Sequence, residues 1–136
     1  MIKHHPIQLQ AKKRGFHVIT QEVLSLIPPL PENGLFHLYI KHTSAGLCIN
    51  EAADPDVLTD FESVFNNMVP ENLPFLVHTI EGPDDMPAHI KSVMVGSSIS
   101  IPIVNGKLDL GTWQGIFLCE FRNNGGGRKL TVSIYE

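Results

Sequence analysis

Apolar positions recur with two different periods along the chain, and the switches between them outline its elements. From Leu35 to His42 the period is two: Phe36, Leu38 and Ile40 share one face, and His37, Tyr39 and Lys41 share the other. Leu47, Ile49 and Glu51 alternate in the same way. Continued parity turns His42 and Glu51 to the apolar side at strand ends, where ionisable groups need a partner. The segments Pro6–Gln10 and Phe16–Thr20 flank Lys12-Lys13-Arg14-Gly15 and predict a hairpin about that turn.

The period then lengthens to that of a helix. Val57, Leu58, Phe61, Val64, Phe65 and Met68 form one stripe, Asp54 is placed to cap it, Pro55 suits its first position and Pro70 stops it. These signals predict a helix over Pro55–Val69. A shorter helix is predicted over Gln21–Ile27, capped by Thr20 and ended by Pro28-Pro29, and a third over Met86–Val95, with Ile90, Val93 and Met94 inward and Gly96 as its stop. The rest reads as β: Ser98–Val104, a hairpin at Asn105-Gly106, Lys107–Leu110, Trp113–Arg122 and Lys129–Tyr135. Trp113–Arg122 is apolar on both parities and needs cover on both faces. Three modest helices leave part of that cover to another subunit, which predicts an oligomer. The fold class is α+β, a mostly antiparallel β-sandwich of about seven or more strands with two or three helices.

Composition narrows the function classes. A chain of 136 residues reads as a single domain over 1–136, with an ordinary globular mixture of 43% hydrophobic and 18% charged residues. Its net charge of −4 argues against nucleic acid or anionic lipid as a partner. Cys48 and Cys119 sit in apolar stretches without a metal-site spacing and read as buried thiols. No run approaches the roughly 18 apolar residues of a membrane span. The expected location is the cytoplasm.

The chemistry concentrates in "VHTIEGPDDMPAHIKS", residues 77–92. A polar turn and a helix cap explain one aspartate, but not three carboxylates and two histidines. His78, Asp85 and His89 make a workable ligand set for a divalent metal, Zn²⁺ or Mg²⁺/Mn²⁺, with Asp85 and His89 four residues apart on one helix face. Capping and ligation compete for Asp85, so Asp84 is its substitute. Glu81 and His42 are the acid–base candidates. Thr43 and Ser44 form a donor-rich turn suited to an anionic group, Trp113 can stack a heterocycle, and Arg122 can meet a phosphate. The ligand is a small molecule, phosphorylated or heterocyclic.

Three blocks, "HTSAGLCINEAADPDVLTD", "HTIEGPDDMPAHIKS" and "NGKLDLGTWQGIFLCEFR", together resemble the YjbQ-like family, often called secondary thiamine-phosphate synthase, over nearly the whole chain. The resemblance implies an α+β fold with a β-sandwich and a homotrimer. It carries the family's polar positions onto His42, Thr43, Ser44, Glu51, Asp60, His78, Glu81, Asp84, Asp85, His89, Trp113, Gln114, Glu120 and Arg122. It also implies weak thiamine-phosphate synthase activity, in which the nitrogen of a thiazole phosphate displaces pyrophosphate from a pyrimidine diphosphate. Departure of pyrophosphate calls for a divalent cation or positive side chains. The residues themselves leave three roles open: a metal-assisted enzyme, a trimeric metal- or small-molecule-binding protein without turnover, and a polar cluster that only organises the trimer.

Overall fold

The computed structural model describes residues 1–136. The elements run β1 (Ile2–Leu9), β2 (Gly15–Val18), α1 (Thr20–Ser25), β3 (Asn33–Ile40), β4 (Ala45–Glu51), α2 (Pro55–Met68), α3 (Asp85–Val95), β5 (Ser98–Val104), β6 (Lys107–Leu108), β7 (Gln114–Glu120) and β8 (Arg128–Tyr135). The strands form two sheets, one of five in the order β1-β8-β3-β5-β6 and one of three in the order β2-β7-β4. Every pairing is antiparallel.

Alternation decides which face goes inward. Phe36, Leu38 and Ile40 of β3 are buried, as their parity requires, and meet Leu47 of β4 and Ile116 and Leu118 of β7 across the sandwich. Burying each such side chain is worth about 1.5–3 kcal/mol of transfer free energy, which makes this cluster the main source of cohesion. The hairpin at Asn105-Gly106 forms with both residues at positive φ, 52° and 75°, the conformation that this dipeptide adopts at little steric cost.

A third layer covers the outer face of the small sheet. Phe117 and Cys119 of β7 join Phe16, Ala88 and Phe121, with Leu58, Phe61 and Phe65 of α2 packed over them. Phe16 stacks on Phe61 at 5.2 Å and meets Phe65 and Phe121 edge-on. Both faces of β7 are thus covered within one chain, and every residue from Gly115 to Glu120 is buried. The two apolar parities of this strand therefore carry no argument for a second subunit. The helix layer, anchored by Phe61 and Phe65 and by Ala88, supplies more cover than the number of helices suggests.

Other expectations change with the pairing. The segments predicted to form a hairpin lie in different sheets: β1 pairs with β8, and β2 pairs with β7. Turn chemistry at Lys13-Arg14-Gly15 reverses the chain but does not choose its partner strand. Thr20 caps nothing; its hydroxyl accepts from the backbone N–H of Ile116 and ties α1 to β7. Asp54 does cap α2, accepting from Asp56 N–H at 2.9 Å. Of the α2 stripe, Val64 and Met68 are exposed. Helix α3 turns Asp85, Pro87, Ala88 and Lys91 inward and leaves Val93 and Met94 exposed, because its docking face follows polar contacts rather than its apolar residues.

Candidate metal centre

The segment between α2 and α3 brings His78 back over the start of α3. Gly82, at φ 108°, makes the turn, and its carbonyl accepts from Asp85 N–H; a side chain at this φ is disfavoured. Asp84 occupies the N-cap position of α3 without a side-chain capping bond, and Asp85 is the first helical residue. Asp85 is therefore free of the competing capping duty. His89 lies one turn later on the same face.

Asp85 is the centre of the arrangement. Its Oδ2 lies 2.7 Å from His78 Nε2 and 3.1 Å from His89 Nε2, and its Oδ1 accepts from Arg122 Nη1 at 2.5 Å. The carboxylate is 2% exposed, whereas the two imidazoles are open at 44% and 29%. A buried acceptor thus sits beneath two accessible rings 5.3 Å apart. Their ligand atoms all lie within 4.8 Å of one another. Tetrahedral ligation with bonds near 2.0–2.1 Å would put donors about 3.3 Å apart, so small side-chain movements accommodate an ion.

The surroundings hold this geometry. Arg122 Nε donates to Asp84 Oδ2 at 2.9 Å and Nη2 to the Glu81 carbonyl at 3.2 Å, while Asn123 N–H donates to Asp84 Oδ2. Burial raises the Asp85 carboxyl, but the His78 hydrogen bond and the charges of His89 and Arg122 outweigh it and hold it below its ordinary value. Asp84 behaves likewise: burial raises it, and the Asn123 and Arg122 contacts bring it lower. The Asp84 hydrogen bond pushes Arg122 up. Both carboxylates are thus ionised at neutral pH.

The remaining candidates divide by place. His89 Nδ1 lies 2.9 Å from the Thr43 carbonyl, so Thr43 joins the cluster through its backbone. His42, Thr43, His89, Ser92, Val93, Gly96 and Ser97 line an open cleft of about 530 Å³. His42 Nε2 accepts from Lys129 N–H, leaving the proton on Nδ1; burial and the Arg128 charge keep the ring below its ordinary pKa. Nε2 is therefore engaged by the backbone. Ser44 is buried and its carbonyl accepts from Phe121 N–H and Arg128, so it serves the backbone. Glu81 is exposed at the rim. Arg122 is occupied by three oxygen acceptors, which makes it a clamp on carboxylates and not a free phosphate ligand. Trp113 is 63% exposed and precedes β7, whereas Arg122 follows it; six strand steps separate their ends by about 20 Å. Glu51, paired with Gln114, shares that far end, and Asp60 is exposed on α2.

One residue escapes the sequence reading. Arg128 forms a buried ion pair with Glu120 and donates through Nε at 2.7 Å. Its signal is parity, since Arg128 alternates in register with Leu130, Val132 and Ile134. Lys91, 1% exposed, donates to Asn66 Oδ1 at 2.7 Å; burial, then the Arg14 charge, lowers its pKa.

Comparison with known proteins agrees with this architecture. The model of the family described as "UPF0047 protein YjbQ-like" matches residues 5–136. The UPF0047 protein YjbQ of Salmonella typhimurium is 50% identical over 131 residues, 94% of each chain, and the UPF0047 protein YugU of Bacillus subtilis is 40% identical over 117 residues, 85% of this chain and 86% of that one. Among solved structures, the conserved hypothetical protein TT1486 of Thermus thermophilus superposes with a TM-score of 0.83 at 31% identity, covering 94% of this chain and 97% of that one. A YjbQ/UPF0047 family protein of Clostridium acetobutylicum gives 0.80 at 36% identity, over 96% and 98%. The chain belongs to the UPF0047 YjbQ-like family.

Proposed function

We propose that His78, Asp85 and His89 hold a divalent metal ion, and that the protein is a metal-assisted enzyme acting on a small molecule admitted beside His42 and Thr43. The observation that carries this reading is the contact of His89 Nδ1 with the Thr43 carbonyl. That carbonyl only accepts, so Nδ1 carries a proton, and Nε2 is the ring atom turned toward Asp85 Oδ2 at 3.1 Å. His78 Nε2 converges on the same oxygen, so three ligand atoms face one small space that an ion would fill. A carbonyl behind the ring is also the usual outer partner of a metal-bound histidine. Two imidazoles and one carboxylate favour Zn²⁺ or a similar borderline ion over Mg²⁺ or Mn²⁺. Such an ion supplies Lewis acidity and a bound water of lowered pKa.

The chain's own groups then have defined work. Arg122 fixes Asp85 through Oδ1, leaving Oδ2 for the ion. Thr43 sets the His89 tautomer. His42 presents Nδ1–H to a ligand in the cleft, and Glu81 is the acid–base candidate at the rim. Thiamine-phosphate synthesis is the first activity to test. With Arg122 engaged by carboxylates, the leaving pyrophosphate would depend on the metal rather than on a side-chain cation. We place the protein in a cytoplasmic homotrimer; Phe75, Val77 and Ile80, exposed at 74%, 95% and 92%, support an assembly that covers them. No helix is long and apolar enough to cross a membrane.

A trimeric metal- or small-molecule-binding protein without turnover is the second reading. It is favoured by the partners of the two imidazoles, which are Asp85 and the Thr43 carbonyl, with no nucleophile among them. Elemental analysis of untagged protein beside His78→Ala and His89→Ala tests the shared premise. About one ion per chain, lost in both variants with assembly retained, is expected; no ion in the parent after reloading at neutral pH sinks the metal reading. Turnover of a pyrimidine diphosphate with a thiazole phosphate then separates the enzyme from the binding protein.

A further inference from the structure

Two thiols that the proposed site does not use face each other across the small sheet. In the β4–β7 ladder Cys48 lies opposite Phe117 and Cys119 lies opposite Gly46, so the cysteines are diagonal neighbours on one face. Their sulfurs are 3.6 Å apart and hydrogen-bonded. The pair is asymmetric. Cys119 is fully buried among Phe16, Ala88, Phe117 and Phe121, while Cys48 is only partly buried at the edge of that cluster.

We propose that Cys48 and Cys119 form a peroxide-reactive pair, with Cys48 oxidised first and Cys119 resolving it to an intrachain disulfide. Access favours Cys48, because a small oxidant arriving from solvent meets it before Cys119. Electrostatics act in the same direction: the Cys119 hydrogen bond lowers the Cys48 thiol, whereas that bond and burial push Cys119 well above the ordinary value. Access and charge thus both single out Cys48 as the thiol poised to react first.

The chemistry balances with hydrogen peroxide as the co-reactant. The Cys48 thiolate attacks one peroxide oxygen, the O–O bond breaks, and the departing hydroxide takes a solvent proton to leave as water. Cys48 is left as a sulfenic acid. Cys119 sulfur then attacks Cys48 Sγ, the S–O bond breaks, and the hydroxide leaves with the Cys119 proton as a second water. Two electrons pass from the two sulfurs to one peroxide. Diagonal strand positions lie about 7–8 Å apart at Cα, at or beyond the range that a relaxed disulfide spans, so closing the bond shears β4 against β7. A strained bond of this kind is readily reduced by dithiols.

The test is peptide mapping of reduced wild-type protein after one equivalent of hydrogen peroxide, quenched with an alkylating reagent. The expected product joins the Cys48 and Cys119 peptides within one chain, is lighter by two hydrogens, and reverts with dithiothreitol. Cys119→Ala should stop at a sulfenic acid on Cys48 that dimedone captures, and Cys48→Ala should leave Cys119 unmodified; far-UV circular dichroism confirms that both variants are folded. Intact thiols in the wild type, a disulfide between chains, or dimedone on Cys119 would each overturn the proposal. The wild-type map decides it even if a variant fails to fold.

Discussion

Two arginine–carboxylate clusters flank the end of β7, built from nearly the same ingredients. In one, Glu120 meets Arg128, both side chains at most 4% exposed, and the Ser44 carbonyl takes a further guanidinium N–H. In the other, Arg122 meets Asp84 and Asp85, and two imidazoles stand over the free oxygen of Asp85. The first pairs two carboxylate oxygens with two guanidinium nitrogens and is closed. The second gives one oxygen to the arginine and leaves the other for groups that reach solvent. A buried arginine–carboxylate pair by itself indicates structure; what marks a candidate site is an acceptor held rigid on one side and oversupplied with ligating nitrogens on the other.

The largest effect that tests this contrast is on folding. Arg128→Met leaves Glu120 buried without its partner and should cost about 3–5 kcal/mol in urea unfolding, while the double variant with Glu120→Leu should recover most of it. If the single variant is nearly neutral, the closed cluster is not the structural member of the pair. Next in size is His89→Ala, which should weaken metal binding by about 100-fold or more while changing unfolding free energy by less than about 1 kcal/mol. Equal loss of stability in both clusters would erase the distinction.

Acid sharpens it further. Asp84 and Asp85 sit below the ordinary carboxyl value of 3.8. Each therefore contributes stability that is fully present above that value and is lost as pH falls through the lower folded-state pKa. Asp84→Asn should flatten the decline in stability below about pH 4; an unchanged slope would count against the Arg122 clamp. The smallest effect is a control: Asp54→Ala removes the α2 cap, should cost about 1 kcal/mol, and should leave metal affinity untouched.

Much of this was legible in the chain. The parity of Phe36, Leu38 and Ile40 placed β3, Asp54 and Pro55 opened α2, and Asn105-Gly106 marked its hairpin, because each signal is local. The grouping of His78, Asp85 and His89 was legible for the same reason: a helical turn and a short return of the chain join them. Long-range partners were not. Nothing near Pro6 or Phe16 states that β1 belongs beside β8 and β2 beside β7. Arg122 read as a phosphate ligand because its carboxylates are 37 and 38 positions away. Helix α3 misled most, since its inward face carries Asp85 and Lys91 while Val93 faces water.

The order of strands also sets a schedule. β8 lies between β1 and β3, so the larger sheet has a vacancy at its middle until β8 has been synthesised. Through most of translation β1 has no sheet partner, and β3 can pair only on its β5 side. Closing the sheet needs contacts between the ends of the described chain, the kind of topology that folds slowly. A nascent chain of this protein therefore keeps open strand edges until β8 emerges, and chaperone demand should fall once β8 clears the ribosome.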